Sequence, residues 1–327
     1  MRSAIGVLVI ALFASSPVLA QSVTEAFRNL TPVTLDTKSN NYDVDVSPDG
    51  KRILYTTTRT DVYGDIHVQD VSGRTSIQRS FYSGVDRFGR FSPDGKYIAF
   101  ASDRNGNFDI FIMETDGGSA VRQVTTNATE DVRPSWSPDG KKLAYTGVSI
   151  NGEIIWVADL ENGSYTILGD GTAPRFSPDG KRLLYQKRGT KDNYPSLWVI
   201  DVNGSNDTQI LRGNEWGATW PDWAPDGKSI IFASDVSARG KRLDVAPGKR
   251  KLKFQPSAYR KTDLWTVSTN GTNLTQITTS QGADWNPRWS NEGRVYFVSD
   301  RSPGSGARTT ATNIWSFEPN MLEELGK

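Results

Sequence analysis

The side chains that most often carry out chemistry are scarce in this chain. Its 327 residues include no Cys and a single His. Without Cys there is no thiol nucleophile, no disulfide, no Cys-ligated zinc and no haem attachment. With one His, a three-His metal site is impossible, and a Ser-His-Asp triad would have to use His67. No G-x-S-x-G is present. His67 sits where sibling segments carry Phe111 or Trp156, which reads as a packing position. Asp103, Asn105, Asn107 and Asp109 alternate, and Glu114 falls twelfth, a spacing that imitates an EF-hand loop. Phe108 stands where such a loop needs Gly, and Ile110 to Met113 read as strand. The expectation is therefore a polar turn, with no metal, no cofactor and no catalytic residue assigned.

What remains is a set of charged and aromatic positions that only a repeat can bring together. Ser47-Pro48-Asp49-Gly50 recurs at Ser92, Ser137 and Ser177, again as Ala224-Pro225-Asp226-Gly227, and in decayed form as Ser290-Asn291-Glu292-Gly293. The spacings are 45, 45, 40, 47 and 66 residues. Ser bonds the backbone ahead, Pro presets φ for a type I turn, and Gly takes positive φ without a steric cost. Such a turn joins two antiparallel strands. An apolar residue precedes each turn: Val46, Phe91, Trp136, Phe176, Trp223 and Trp289. Apolar runs follow it, such as Ile53-Leu54-Tyr55 and Ile230-Ile231-Phe232. A third strand and, in most copies, a fourth come next. Repeats of about 40–45 residues with four strands each predict propeller blades. The sixth copy stops after its third strand, near Phe317, while Leu30-Thr31-Pro32-Val33-Thr34 resembles an orphan fourth strand. The expected fold is all-β: a six-bladed propeller of four-stranded blades, closed by the N-terminal strand completing the last blade, which hides two edges.

This frame gives the charged positions an address. Six residues before each turn stand Asn41, Asp86, Asp131, Gly171, Ala218 and Asp284. The first strand of a blade is innermost, so Asp86, Asp131 and Asp284 are expected at one mouth of the tunnel, able to hold a cation or a basic side chain. Solvated loop positions are the competing reading. Trp220 and Trp285 lie near the same strand starts and could stack a sugar ring. Two residues before each turn, Asp45, Arg90, Ser135, Arg175, Asp222 and Arg288 suggest ion pairs between blades.

The SPDGK turns, the aromatic before them and the stretch Ala101-Ser102-Asp103-Arg104-Asn105-Gly106-Asn107-Phe108-Asp109 resemble the propeller repeats of the TolB family. The resemblance covers roughly residues 30–317. It implies an exported scaffold, since TolB is an exported six-bladed propeller that binds the peptidoglycan-associated lipoprotein Pal. TolB also carries an α/β domain ahead of its propeller. Only Gln21 to Asn29 separate the predicted signal from the first repeat strand, so that domain is not expected here. Similar repeats precede the hydrolase domain of the prolyl oligopeptidase group and resemble the scaffold of oligogalacturonate lyases. The latter hold a metal with several His, which this chain lacks.

Residues 1–20 read as a cleaved secretory signal: Arg2, an apolar run from Ala4 to Phe13, and Val18-Leu19-Ala20 before the cut. The apolar run is short of the roughly 20 residues a span needs, so no membrane span is expected and the chain is placed in the periplasm. Residues 21–327 are then a single propeller domain, ending in a polar tail at 318–327. Residues 236–262 hold nine Lys/Arg and one Asp. This basic insertion in the fifth blade offers Arg239, Lys241, Arg242, Lys249, Arg250, Lys251, Lys253 and Phe254 to a partner. Export argues against nucleic acid. The favoured expectation is a non-enzymatic, monomeric propeller that docks an envelope protein, either a lipoprotein or a membrane-complex component. The alternative is a sugar- or peptide-binding propeller, with or without catalysis, whose site is the tunnel mouth.

Overall fold

A computed structural model describes residues 27–118, 120–188, 194–211, 217–235, 261–304 and 308–320. Its regular elements are strands, arranged as six antiparallel four-stranded sheets. The first blade runs outward in chain order through Asn41–Val46, Arg52–Thr57, Asp65–Asp70 and Ser76–Gln78. The next five blades begin with the innermost strands Asp86–Phe91, Glu130–Trp136, Thr172–Phe176, Ala218–Trp223 and Asp284–Trp289. Each innermost strand touches the next, and the first touches the last, so the sheets form a closed six-bladed propeller. Among the described residues no helix is long and apolar enough to cross a membrane.

Closure follows the expected scheme. The sixth blade takes Val295–Arg301 and Arg308–Pro319 from the end of the chain and Phe27–Pro32 from its beginning. Thr31 pairs with Ser316 and Pro32 with Trp315. Arg28 Nε and Asn29 Nδ2 donate to the Glu318 carboxylate at 3.2 and 2.9 Å, and Arg294 pairs with the same group. The sixth blade is thereby built from both ends of the sequence, with Phe27–Pro32 as its outermost strand.

The tetrapeptide turns are built as their residues dictate. In the second blade Gly95 N donates to Ser92 O at 2.8 Å, and Gly95 sits at φ 71°. Ser92 Oγ donates to Asp94 Oδ1 at 2.6 Å and accepts from Tyr97 N at 2.9 Å. The same bonds recur at Ser47, Ser137 and Ser177. Each turn also leans on the next. A Cβ on Gly95, Gly140 or Gly227 would lie 3.6–3.8 Å from Pro48, Pro93 or Pro178, respectively. At the ring junction Asn291 Nδ2 donates to Pro48 O at 2.9 Å, so even the decayed turn keeps its place.

The core lies between blades. Leu54, Ile66 and Val68 of the first blade pack on Phe91, Ile98, Phe100, Phe111 and Met113 of the second. Second strands such as Ile53-Leu54-Tyr55 are buried on both faces because a blade covers each side. Uninterrupted apolar runs rather than alternation are the sequence form of that burial.

Candidate functional site

The innermost strands carry the site, and each has the same irregularity. Pairing with the second strand slips between residues 42 and 45, 87 and 90, 132 and 135, 172 and 175, 219 and 222, and 285 and 288. One residue within each slip is left-handed: Asp43 (φ 56°), Phe88 (59°), Arg133 (56°), Ala173 (53°), Trp220 (49°) and Asn286 (50°). None is Gly. A β-bulge with a left-handed residue re-aims the strand and costs roughly 1–3 kcal/mol at each such position. Six such residues, one per blade, form a ring.

Five of them line a cavity in the channel: Asp43, Phe88, Arg133, Ala173 and Trp220. The rest of the wall is Arg90, Arg175 and Arg288, with Pro174 and Pro221. Four arginines thus face one aspartate. Arg133 lies over Phe88 at 5.2 Å, donates to Thr172 Oγ1 at 3.0 Å and pairs with Glu153 at 3.5 Å. Asn286 Nδ2 donates to Asp43 Oδ1 at 3.2 Å, joining the last blade to the first.

Behind the wall stand Asp45 and Asp222. Asp45 Oδ2 accepts from Phe91 N at 2.9 Å, and Asp222 Oδ2 accepts from Trp289 N at 3.0 Å. Ser135 Oγ accepts from Phe176 N at 3.2 Å in the same way. Each therefore clips its blade to the next. The expected inter-blade ion pairs exist but are long: Arg288–Asp45 at 3.9 Å and Arg175–Asp222 at 4.0 Å. Burial raises the pKa of Asp43 and Asp45 despite the nearby Arg90. Burial likewise pushes Asp222 up to about 6, against the pull of Arg175. Arg175 is brought down to about 9, by burial first and by Arg90 second. The waist of the channel is thus a place where charges are held with incomplete compensation.

The carboxylates expected at the tunnel mouth are closed off from solvent. Asp86, Asp131 and Asp284 are fully buried and already engaged. Asp86 pairs with Arg104 at 3.2 Å, and Asp284 pairs with Arg301 and accepts from Ser299 Oγ at 2.6 Å. Asn127 Nδ2 donates to Asp131 at 2.7 Å, and burial pushes that carboxyl up to about 6. The Ser-Asp-Arg triplets are the source of these partners. Val85 N donates to Asp103, Ala283 N donates to Asp300, and the arginines that follow, Arg104 and Arg301, reach back to the buried aspartates. Of the two tryptophans, Trp220 lines the channel, whereas Trp285 is buried in the core between the first and last blades.

The EF-hand-like stretch is a connector. Asp103 accepts from Val85 N, Asn105 donates to Gln123, Asn107 donates to the carbonyls of Asn127 and Thr129, and Asp109 accepts from Gln123 and Thr125. Among the described residues no group of three or more His, Cys, Asp or Glu gathers for a metal. His67 is buried beside Tyr55 with Nδ1 3.3 Å from Ser76 Oγ, and burial lowers its pKa to about 4. The signal at 1–20 lies outside the described residues, as do the candidate partner residues Arg239, Lys241, Arg242, Lys249, Arg250, Lys251, Lys253 and Phe254. Only Lys261 and Thr262 of the basic insertion, and residues 318–320 of the tail, are described.

The left-handed ring was not anticipated from the sequence, although a signal for it exists. Pro134, Pro174, Pro221 and Pro287 each follow a ring residue inside a strand. Proline within a strand is confined to edges and bulges, because it cannot donate to the ladder.

Comparison with known proteins now places the chain. The family model of the TolB beta propeller domain matches residues 31–172 and 124–242. The chain belongs to the TolB beta-propeller family. Among solved structures, a TolB candidate from Agrobacterium tumefaciens aligns with a TM-score of 0.63 at 19% identity, covering 89% of this chain and 97% of that one. An oligogalacturonate lyase in complex with manganese aligns with a TM-score of 0.57 at 14% identity, covering 91% and 94%. At these identities the likeness is one of fold, shared by a TolB-type chain and an enzyme alike. The uncharacterized protein Atu1656 of Agrobacterium fabrum is 30% identical over 127 residues, or 32% of this chain. The match spans 43% of that relative's length.

Proposed function

We propose that this TolB-family propeller is a non-catalytic docking module that receives an envelope protein at its channel. The observation that carries the reading is the composition of the channel wall. Arginine and aromatic side chains, the residue types that most often dominate binding energy, converge there on one ring. The described residues on that wall include no nucleophile paired with a base. The proposal extends to residues 21–327 as one exported, periplasmic domain, monomeric within its complex. It also gives the basic insertion at 236–262 the role of a second contact for an acidic partner surface, a lipoprotein or a membrane-complex component.

A photocrosslinking residue placed at Trp220 or at Lys251 in the tagged mature chain tests this in the native envelope. One and the same polypeptide crosslinked from Trp220, and lost on deleting residues 236–262, supports docking through both surfaces. Crosslinks to glycan rather than protein would move the assignment to a sugar-binding propeller, the reading favoured by Trp220 on the wall. No crosslinked protein from either position would end the docking proposal.

A further inference from the structure

The seams between blades are built alike, and one of them is short of a hydrogen. At the closing seam Thr34 Oγ1 donates to Asn313 Oδ1 at 3.0 Å and accepts from Ile314 N at 2.9 Å. Asn41 Nδ2 completes the group, donating to Thr34 Oγ1 at 3.2 Å. Between the second and third blades Thr125, Asp109, Ile110 and Asp131 take the same places. Thr125 Oγ1 donates to Asp109 Oδ1 at 3.1 Å, accepts from Ile110 N at 2.9 Å and also faces Asp131. Asp131 and Asn41 both stand six residues before their turns. Where Asn41 brings an N–H, an ionised Asp131 brings acceptors alone. The one hydroxyl hydrogen of Thr125 cannot serve two carboxylates.

Two further seams hold a carboxylate pair, Asp65 with Asp86 and Asp263 with Asp284. Each of those has an arginine, Arg104 on Asp86 and Arg301 on Asp284, two residues past the serine paired with the aspartate. Asp131 is paired with Gly147 instead, and Ser149 stands where the arginine would. The arginines of the surrounding strands are engaged elsewhere. Arg104 pairs with Asp86, Arg133 with Glu153 and Thr172, and Arg87 lies over the rings of Phe88 and Phe108. Tyr145 faces both carboxylates from the strand beside Asp131, and burial first and Asp131 second push its phenol up, so it stays neutral. Glu130 adjoins Asp131 on its own strand, half-buried. Asp109 and Asp131 themselves are 2% and 0% exposed. Neutral groups reach them: Gln123 Nε2 donates to Asp109 at 3.0 Å, and Asn127 Nδ2 and Thr129 Oγ1 donate to Asp131 at 2.7 and 3.2 Å. Burial raises the pKa of both carboxyls, and Asp109 adds to the rise at Asp131.

We infer that Asp109 and Asp131 hold one proton between them, and that this proton makes the seam between the second and third blades a pH-sensitive junction. Two carboxylates buried at one site ionise together only at a cost, and they titrate as a pair. With the proton in place Asp131 donates, as Asn41 does at the closing seam. As pH rises the proton passes to water, and two like charges remain in a seam without a cation. The folded chain binds this proton more tightly than the unfolded chain does. The junction is therefore firm at acid pH and loosens as pH rises through about 6. The inference goes beyond protein docking and does not depend on it, since it concerns the purified chain alone.

Asp131→Asn places an amide where Asn41 carries one. Urea unfolding compares it with the unsubstituted mature chain at pH 5 and pH 7.5. The variant should gain on the unsubstituted chain between the two conditions and have the higher midpoint at pH 7.5. An equal offset at both pH values would overturn the shared proton. Amide hydrogen exchange in the unsubstituted chain reads the junction directly, and it decides the matter if the variant fails to fold. Asp131 N donates across the seam to Phe108 O at 2.7 Å. Gly171 N makes the same bond to Glu153 O at 2.9 Å in the next seam, where Ile154 and Gly171 replace the two aspartates. After correction for base catalysis, protection at Asp131 should fall about tenfold relative to Gly171 between pH 5 and pH 7.5. Parallel protection at the two amides would overturn the junction. None of these readings involves a protein partner, so failure here and failure of the docking proposal are separately visible.

Discussion

Two rings of charge sit on the same six strands, and they are used in opposite ways. At the strand starts, Asp86, Asp131 and Asp284 are buried and fully engaged by side chains of their own blade or its neighbouring connector. A few residues further along, at the waist, Arg90 and Arg288 are nearly as buried, but the Nε of each has no hydrogen-bond partner. Two members of the first ring, Asp86 and Asp284, are met by arginines of Ser-Asp-Arg triplets, and Asp131 by Asn127 and Thr129. Beside those arginines the left-handed position varies from blade to blade: Asp43, Phe88, Arg133, Ala173, Trp220 and Asn286 share one backbone conformation. Repetition with complete satisfaction marks a fold-holding set. Variation at a conserved geometry, with unspent donors, marks a surface shaped for something else.

The sharpest way to break this comparison is to remove a member of the first ring. Asp284→Ala leaves Arg301 buried without its carboxylate, while Ser299 loses its acceptor. Breaking a buried pair from one side costs about 3–5 kcal/mol, so the urea midpoint should fall far below that of the unsubstituted chain. Arg288→Lys at the waist should leave the midpoint nearly unchanged. If the two variants fall equally, the waist arginines are also structural and the distinction collapses.

The fold was legible in the sequence because its signals are local and repeated. The tetrapeptide fixes a turn, its flanks fix two strands, and the shortfall of one strand in the sixth copy, against a surplus strand before the first, predicts closure at Phe27–Pro32. The site was legible only in part. Counting back from the turns found the right strands and the right ring of charges two residues before the turn. It misjudged which positions were available, because the partners of Asp86 and Asp284 come from Arg104 and Arg301, after the second strand. It also missed the bulge, which shifts the register between the two rings. Trp220 reaches the channel through that shift, and Trp285, before it, turns into the core.

A second test follows from the buried carboxylate behind the wall. Asp222 titrates near 6 in the folded chain, above the ordinary value of 3.8, because burial disfavours its charge. The folded state therefore binds this proton more tightly than the unfolded state does between about pH 4 and 6. Stability must fall as pH rises through that window and level off above it. Asp222→Asn keeps an acceptor for Trp289 N and removes the titration. The loss of stability between pH 4.5 and 7.5 should shrink by about 2 kcal/mol in the variant, with Asp131 and Asp263, also near 6, supplying the slope that remains. Parallel profiles for the two chains would show that Asp222 is no more strained than an ordinary carboxylate. The waist would then lose its claim to incomplete compensation.

A tetrapeptide turn gives a smaller effect. Ser92→Ala removes the acceptor for Tyr97 N and the donor to Asp94. Midpoint loss of about 1 kcal/mol is expected, since both groups lie near enough to water to recover part of their bonding. A loss as large as that of Asp284→Ala would mean that water does not reach these groups once the serine is removed, and that the turns hold the fold as firmly as the buried aspartates do.

The smallest effect is the most informative about the bulge itself. Ala173 holds φ at 53° with no side chain beyond Cβ to gain anything from it, so its strain is not offset by a contact of its own. Ala173→Gly relieves a left-handed cost of roughly 1–2 kcal/mol and adds an unfolded-state entropy cost of roughly 0.5–1 kcal/mol. The net change should be a stabilisation below about 1 kcal/mol, read as a small rise in the urea midpoint. Trp220→Gly, with the same backbone relief, should instead lower the midpoint, because there the strained position carries a large side chain that packs against a buried apolar cluster. If Ala173→Gly destabilises the chain, the left-handed conformation is not strained here but preferred by the packing of the channel. The six bulges would then be as much a part of the fold as the turns outside them, and only the side chains they carry would distinguish the waist.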